Sequence, residues 1–245
     1  MPVYRLEVFY DGTGFHGFAR QPEVRTVQGE IEAALSRVLK LSVETTGAGR
    51  TDTGVHAVGQ VVSFVVIEDL DLVRLQRSLN GLLHPEMVVT RLTTEAPGFD
   101  ARFSASWREY RYQLLNSAYP DPLRRTFTWH VPDPLDLDAM NEAAAQLIGE
   151  HDFASFCRAP ASGGLVRRVL AAGWSADAPL VVLRIRANAF CHQMVRSIVG
   201  YMVEVGRGRR RADETAAVIA AVDRSAAGPM APPQGLILWE VGYPG

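Results

Sequence analysis

The chain has 245 residues, of which 47% are hydrophobic and 21% charged, and its formal net charge at pH 7 is -2. These proportions are ordinary for a globular protein and exclude the disordered and fibrous classes. The length allows one large domain or two modest ones. Because no apolar run is long enough to cross a bilayer and the first residues do not form a signal peptide, we expect a cytoplasmic protein.

The first hundred residues show a β-α-β-β-α-β pattern in their apolar periodicity. The predicted strands are 3–10, 41–46, 58–66 and 87–93, and the predicted helices are 27–40 and 71–83. Apolar residues at positions 27, 31, 34, 35 and 38 have the spacing of an amphipathic helix. Thr26 is the expected N-cap of that helix.

The rest of the chain repeats this order of elements without repeating the sequence. The predicted strands are 107–115, 165–175, 180–187 and 236–241, and the predicted helices are 138–148, 191–205 and a short extra helix at 213–222. Two such patterns in succession predict an α+β protein of two ferredoxin-like units with largely antiparallel sheets. We predict domains at 1–103 and 104–245.

The cysteines and histidines do not have the spacing of a metal site. The two cysteines, Cys157 and Cys191, lie far apart in the sequence, so neither a zinc site nor a thioredoxin-like motif is indicated. We interpret both as small buried apolar residues. The six histidines never occur at the i, i+4 spacing of a helical metal pair, and we predict no bound metal.

The segment 49–57, Gly-Arg-Thr-Asp-Thr-Gly-Val-His-Ala, offers a single carboxylate in a glycine-flanked loop. Gly49 and Gly54 allow a tight turn and a close approach of the backbone to a ligand. Arg50 is suited to keeping Asp52 ionised or to binding a phosphate. The alternative is an ordinary loop in which Asp52 accepts hydrogen bonds from nearby amides.

Positive charge is concentrated in one part of the chain. Within 181–211 seven arginines accompany a single acidic residue, Glu204. Such a patch is typical of phosphate binding, and a solvated charge run at a helix end is an equally good interpretation. The arginines that we expect to contact phosphate groups are Arg102, Arg108, Arg111, Arg209, Arg210 and Arg211. For Arg108 and Arg111, salt bridges on a sheet face explain the pattern equally well.

Other segments also combine glycine, proline or aromatic residues with reactive side chains. They are 10–18, 99–104, 108–112, 151–156, 190–196 and 231–236. Together with the segment 49–57, their order over nearly the full length resembles the tRNA pseudouridine synthase A family, of which Gly-Arg-Thr-Asp-x-Gly-Val-His-Ala is the signature. The resemblance implies the pseudouridine synthase fold.

The resemblance also implies roles for individual residues. Asp52 corresponds to the catalytic aspartate, with Arg50 beside it and Arg196 as its basic partner. Tyr110 corresponds to the tyrosine that stacks on the target base, and Leu236 to an apolar wall of the pocket. Without the resemblance, Tyr110 would be interpreted as an ordinary strand tyrosine in a half-buried sheet.

The implied reaction converts uridine to pseudouridine in the tRNA anticodon stem-loop, at positions 38, 39 and 40, without a cofactor. Asp52 would either attack C1′ as a nucleophile or remove the 2′ proton. The implied partner is tRNA, bound by a homodimer in which the RNA contacts both subunits. Two alternatives remain: a tRNA-binding or chaperone protein of the same fold without catalysis, and a hydrolase of a small phosphorylated substrate.

Overall fold

The computed structural model describes residues 1–158 and 164–244. The chain divides into two compact units, one formed by Met1–Ser106 with Ile237–Gly245 and the other by Trp107–Leu236. The C-terminal strand is thus grouped with the N-terminal residues, whereas the domain boundary expected between residues 103 and 104 assigns that strand to the second domain.

Ten strands and five α-helices are found in the described residues. The strands are β1 (Val3–Tyr10), β2 (Thr45–Gly47), β3 (His56–Val65), β4 (Met87–Glu95), β5 (Trp107–Asn116), β6 (Trp129–Val131), β7 (Gly149–Asp152), β8 (Val166–Asp177), β9 (Leu180–Ala187) and β10 (Leu236–Gly242). The helices are α1 (Val27–Leu39), α2 (Leu72–Leu83), α3 (Leu137–Ala145), α4 (Met194–Gly206) and α5 (Thr215–Ala220).

The strands of the first unit lie in the order β4-β1-β3-β10, and β2 also pairs with β3. All of these pairs are antiparallel except β3 with β10, which places Ile237 opposite His56. Alternate residues of β1, including Leu6 and Val8, are fully buried, as expected for a strand with one face on a core. Helix α1 begins where Thr26 caps it by accepting a hydrogen bond from the Gly29 amide.

The strands of the second unit lie in the order β5-β9-β8-β7, all antiparallel, and β6 pairs with β5 in parallel. The register places Tyr112, Leu183 and Trp174 in one cross-strand row. Helix α4 covers this face, because the Trp174 indole N–H donates to the sulfur of Met202 at 3.1 Å. Glu109 lies on the opposite face of the sheet, in a row with Arg186.

The predicted α+β class with largely antiparallel sheets is confirmed. The predicted strands 3–10 and 180–187 have the observed bounds. Strands β6 and β7 were not predicted, because three and four residues are too few to show a period. The predicted strand 41–46 is shorter than expected, since the amide of Val43 donates to Ser36 of α1 at 3.2 Å instead of to another strand.

The interpretation of both cysteines as small buried apolar residues is wrong in part: Cys157 is buried, but Cys191 is only half-buried. Cys157 and Cys191 form a disulfide, with their Cα atoms 5.9 Å apart. The sequence gives no sign of this pairing, because the two residues are 34 positions apart and meet only through the packing of the second unit.

Neither a membrane-spanning helix nor a metal-binding cluster is found in residues 1–158 and 164–244. No helix in these ranges has the length and hydropathy needed to cross a membrane. Nor do these ranges contain a group of three or more His, Cys, Asp or Glu side chains placed to hold a metal ion.

Candidate active site

The loop that carries Asp52 joins β2 to β3 in the first unit. Asp52 is half-buried, and its backbone carbonyl accepts a hydrogen bond from the Val55 amide at 3.1 Å. Gly54 has a φ of 77°, a conformation that favours glycine. The turn therefore depends on one of the two glycines that were singled out in the sequence.

Two buried side chains, those of Tyr10 and Gln60, hold this loop in place. The Tyr10 hydroxyl at the end of β1 lies 2.8 Å from the Thr51 hydroxyl, directly before Asp52. Gln60 of β3 is fully buried and hydrogen-bonds both the carbonyl and the amide of Gly49, at 2.8 and 3.2 Å. Burial raises the pKa of Tyr10 to about 12, although its hydrogen bonds to Thr51 and Gln60 oppose the shift. Tyr10 thus remains protonated at neutral pH.

The loop that follows β1 packs tightly against the Asp52 loop. A Cβ atom on Gly12 would overlap the carbonyl of Val55. Gly17 has a φ of 89°, and a Cβ there would lie 2.9 Å from the carbonyl oxygen of Thr51. That oxygen also accepts a hydrogen bond from the Phe18 amide at 3.0 Å. Only glycine permits this approach at Gly12 and Gly17, which explains the glycine content of the segment 10–18.

His56, at the start of β3, connects the same two loops. Its ring is buried, and Nδ1 lies 3.0 Å from the amide nitrogen of Gly12 and 3.1 Å from Oδ1 of Asp11. The Gly12 amide donates to Nδ1. His56 therefore helps to position the loop instead of being exposed to a substrate.

The two other predicted residues of the first unit lie at its surface. Arg50 is exposed, and no hydrogen bond or ion pair joins it to any described residue. The expected pairing of Arg50 with Asp52 is thus not made within the ranges that the structure describes. Arg102 is also exposed, and its guanidinium lies 5.3 Å from the centroid of the Phe103 ring.

Tyr110 and Arg196 belong to the second unit. The Tyr110 ring is largely buried and meets the edge of Phe190, with ring centroids 5.0 Å apart. Arg196 projects from the first turn of α4, and its Nε donates to the Ala231 carbonyl at 2.9 Å. The Ala231 amide donates in return to the carbonyl of Arg196 at 3.0 Å. The arginine therefore holds the loop that leads to β10.

Tyr112 fixes the other end of that loop. Its hydroxyl donates to the Pro232 carbonyl at 2.7 Å. Burial raises the pKa of Tyr112, and the nearby positive charge of Arg196 only partly opposes the shift. A Cβ on Gly235 would come within 2.6 Å of the Tyr112 ring, so the chain passes directly over the ring before the buried Leu236.

The three arginines at 209–211 have different surroundings. Arg209 is exposed and lies 3.3 Å from a carboxylate oxygen of Glu204. Arg210 is half-buried, donates to the Ala226 carbonyl at 2.7 Å and lies over the Tyr201 ring. Arg211 is exposed and pairs with Asp213. Arg210 is therefore tied into the fold, while Arg209 and Arg211 are at the surface.

Comparisons with known proteins agree with these features. The model of the family described as tRNA pseudouridine synthase matches residues 8–104 and 143–244. The chain belongs to the tRNA pseudouridine synthase family. Three relatives named tRNA pseudouridine synthase A are those of Frankia casuarinae (47% identity, 98% of this chain, 89% of the relative), Brevibacillus brevis (44%, 99% and 100%) and Leifsonia xyli subsp. xyli (43%, 98% and 91%). The family predicted from the segment 49–57 is thus confirmed.

Four residues of this family member were missed in the sequence. Tyr10, Gln60 and His56 support the Asp52 loop, and Tyr112 supports the loop before Leu236. Tyr112 was within reach of sequence reasoning, because it lies two residues after Tyr110 and must share its face of β5. The other three act through contacts that need the tertiary structure.

Removing the Tyr10 hydroxyl should loosen the residue next to Asp52. We expect Tyr10→Phe to cost about 1 kcal/mol in the free energy of unfolding, because it leaves the Thr51 hydroxyl without this partner. We expect turnover on tRNA to fall about tenfold, since a small displacement of a catalytic group, the role predicted for Asp52, is costly. Thermal unfolding and the initial rate on a tRNA transcript measure the two effects.

Tyr4→Phe is the matched control. Tyr4 is also a buried tyrosine of β1, and its hydroxyl bonds the Glu68 carbonyl at 2.9 Å and the Leu70 amide at 3.2 Å, away from the Asp52 loop. It should lose similar stability and keep its turnover. Equal turnover in the two variants would show that the Tyr10 hydroxyl does not position Asp52.

Proposed function

We propose that this isomerase converts uridine to pseudouridine in the tRNA anticodon stem-loop, at positions 38, 39 and 40, with Asp52 as the catalytic carboxylate. The observation that carries the proposal is the Asp52 loop of a tRNA pseudouridine synthase family member. There a half-buried carboxylate stands on a turn that Tyr10 and Gln60 fix.

The reaction needs one carboxylate and no net oxidation. The N1–C1′ bond breaks, the uracil rotates, and C5 bonds to C1′ while the C5 hydrogen leaves as a proton and N1 gains one. Asp52 acts either on C1′ as a nucleophile or on the 2′ proton as a base. We assign to Arg196 the role of its basic partner, since a positive charge favours the ionised form of a carboxyl group.

We assign Tyr110 to stacking on the uracil and Leu236 to an apolar wall of the pocket. A base within a stem must leave the helix before it can react, and an aromatic side chain then replaces its stacking partners. The packing of Tyr110 against Phe190 supports the assignment. A ring that is already held in place loses little conformational entropy when the base binds. We place the enzyme in the cytoplasm, where tRNA is modified, and infer that it acts as a homodimer.

Release of tritium from tRNA labelled at uridine C5 tests the function. Isomerisation moves the glycosidic bond to C5, so each turnover must release one tritium to water. Transcripts in which the uridines at 38, 39 and 40 are replaced singly show which positions are used. Release that is insensitive to all three replacements would place the substrate outside the anticodon stem-loop. Binding of tRNA without release would favour the chaperone alternative.

We propose that Arg209 and Arg211 contact the RNA backbone, and we expect their joint replacement by glutamine to weaken tRNA binding in a salt-dependent manner. The slope of log Kd against log salt concentration should fall by about 0.7–0.9 for each lost phosphate contact. Arg50→Gln and Arg102→Gln, measured in the same way, test the two exposed arginines that were singled out in the first unit. An unchanged slope would remove the replaced residues from the RNA interface.

A further inference from the structure

The disulfide joins two segments that run side by side in the second unit. Cys157 is buried and Cys191 is half-buried. Next to them the Arg158 amide donates to the His192 carbonyl at 3.0 Å. The covalent link therefore ties the residues before α4 to a segment 34 positions earlier in the chain.

The start of α4 is packed, with Met194 and Val195 buried, but it has no side-chain cap. Gln193, the residue in the N-cap position, makes no side-chain cap and has a φ of 68°. This left-handed conformation is unfavourable for a residue with a Cβ atom. A helix start without a side-chain cap tends to fray. The link at Cys191, two residues earlier, supplies a constraint that the local sequence lacks.

The same short segment carries groups that the proposed function uses. Phe190, directly before Cys191, packs against Tyr110. Arg196 is the third residue of α4, and its guanidinium holds the Ala231 carbonyl. Fraying of this turn would thus displace both the ring behind Tyr110 and the base of the Arg196 side chain.

We propose that Cys157 and Cys191 are a reversible redox site that orders the first turn of α4 and thereby positions Arg196. The inference rests on the proposed function for its effect on turnover. In a reducing compartment, disulfides are usually transient and redox-sensing. The two cysteines are positioning residues, because they act on the substrate through Arg196 and Phe190.

The oxidant is a low-molecular-weight disulfide such as oxidised glutathione. The Cys191 thiolate attacks one of its sulfurs and releases one glutathione thiol, and the Cys157 thiolate then attacks the mixed disulfide and releases the second. The protein loses two protons and two electrons, and the oxidant gains them as it becomes two thiols. Dithiothreitol reverses the step.

Hydrogen exchange of the full-length protein, with and without prior reduction, tests the ordering directly. The amides of the first turn of α4 should exchange faster after reduction, whereas those of α1 in the other unit should not change. Equal exchange of the α4 amides in the two forms would overturn the proposal whether or not the protein modifies tRNA. Two free thiols after treatment with oxidised glutathione would overturn it too.

Measuring turnover on tRNA distinguishes an effect on the position of Arg196 from a general effect on the stability of the unit. We expect reduction to lower kcat about threefold to tenfold, because Arg196 is displaced, while KM for tRNA changes less. The double variant Cys157→Ser/Cys191→Ser should match the reduced form and should not respond to either reagent. Suppose that the α4 amides exchange at different rates in the oxidised and reduced protein, but neither form releases tritium from tRNA. That result would refute the proposed function and would still support the redox site.

The substitution Gln193→Gly tests whether the kcat lost without the disulfide can be restored. Glycine adopts the left-handed conformation without a steric penalty, so this variant should restore most of the lost kcat in a Cys157→Ser background. A link that only stabilises the whole unit would not be bypassed by a change at residue 193. Failure of the rescue, in a protein whose thermal stability is unchanged by the glycine, would contradict action through this turn.

Discussion

Asp52→Asn should lower pseudouridine formation by at least about a thousandfold, because an amide can act neither as the base nor as the nucleophile. The side chain keeps its shape, and the turn should persist, since it is closed by the backbone carbonyl of residue 52. Tyr10, Gln60 and Gly54 hold the loop independently of the carboxylate. Tritium release on tRNA measures the loss.

The same change at an exposed acidic residue provides the control. Asp69 is exposed in the first unit, and Asp69→Asn removes the same charge without touching the loop. We expect this variant to keep wild-type turnover, and both variants to bind tRNA within about threefold of wild type, because one carboxylate contributes little to phosphate binding. Activity retained in Asp52→Asn would remove Asp52 from the catalytic role under either mechanism.

The sequence was sufficient to predict the family and the loop that carries Asp52, but not the contacts that support this loop. The segment 49–57 and its glycines are contiguous, so a local pattern contains them. Tyr10 lies 41 positions from its partner Thr51, and such a contact is fixed only when β1 and β3 pair. The same reason explains why the link between Cys157 and Cys191 was missed.

Strands and helices were predicted well where the apolar periodicity extends over many residues. Their ends were predicted poorly. Alternation across eight residues located β1 and β9, whereas helix α4 begins three residues later than its apolar pattern predicted. The difference arises at Gln193, whose left-handed backbone is incompatible with a helix. Apolar periodicity contains no information about a single residue's φ.

The alternation in β5 predicts that Glu109 and Arg111 share a face, but the partners on β9 depend on the strand register. The Glu109 side chain is fully buried, 2.9 Å from Nε of Arg184 and 2.8 Å from Nη2 of Arg186. Nε of Arg111 lies 3.5 Å from the other carboxylate oxygen. Burial raises the pKa of Glu109, but the bonds and charges of Arg184 and Arg186 outweigh it, so the pKa is lowered overall.

Glu109→Gln should therefore destabilise the second unit substantially, because three arginines would surround a neutral group. Removing one partner of a fully buried pair costs about 3–5 kcal/mol. We expect about 2 kcal/mol here, since the arginines keep part of their contact with water. In thermal unfolding this corresponds to a decrease in Tm of about 4–8 °C. Glu142→Gln, at an exposed position of α3, should leave Tm unchanged.

The dependence of this loss on pH tests its electrostatic origin. Because the pKa of Glu109 is lower in the folded protein than in the unfolded chain, its charge stabilises the fold above the unfolded value of about 4.3. That contribution disappears as the pH falls through the folded value. The difference in unfolding free energy between wild type and Glu109→Gln should thus be constant near neutral pH and narrow below about pH 4. A difference that stays constant on acidification would attribute the loss to packing instead of charge.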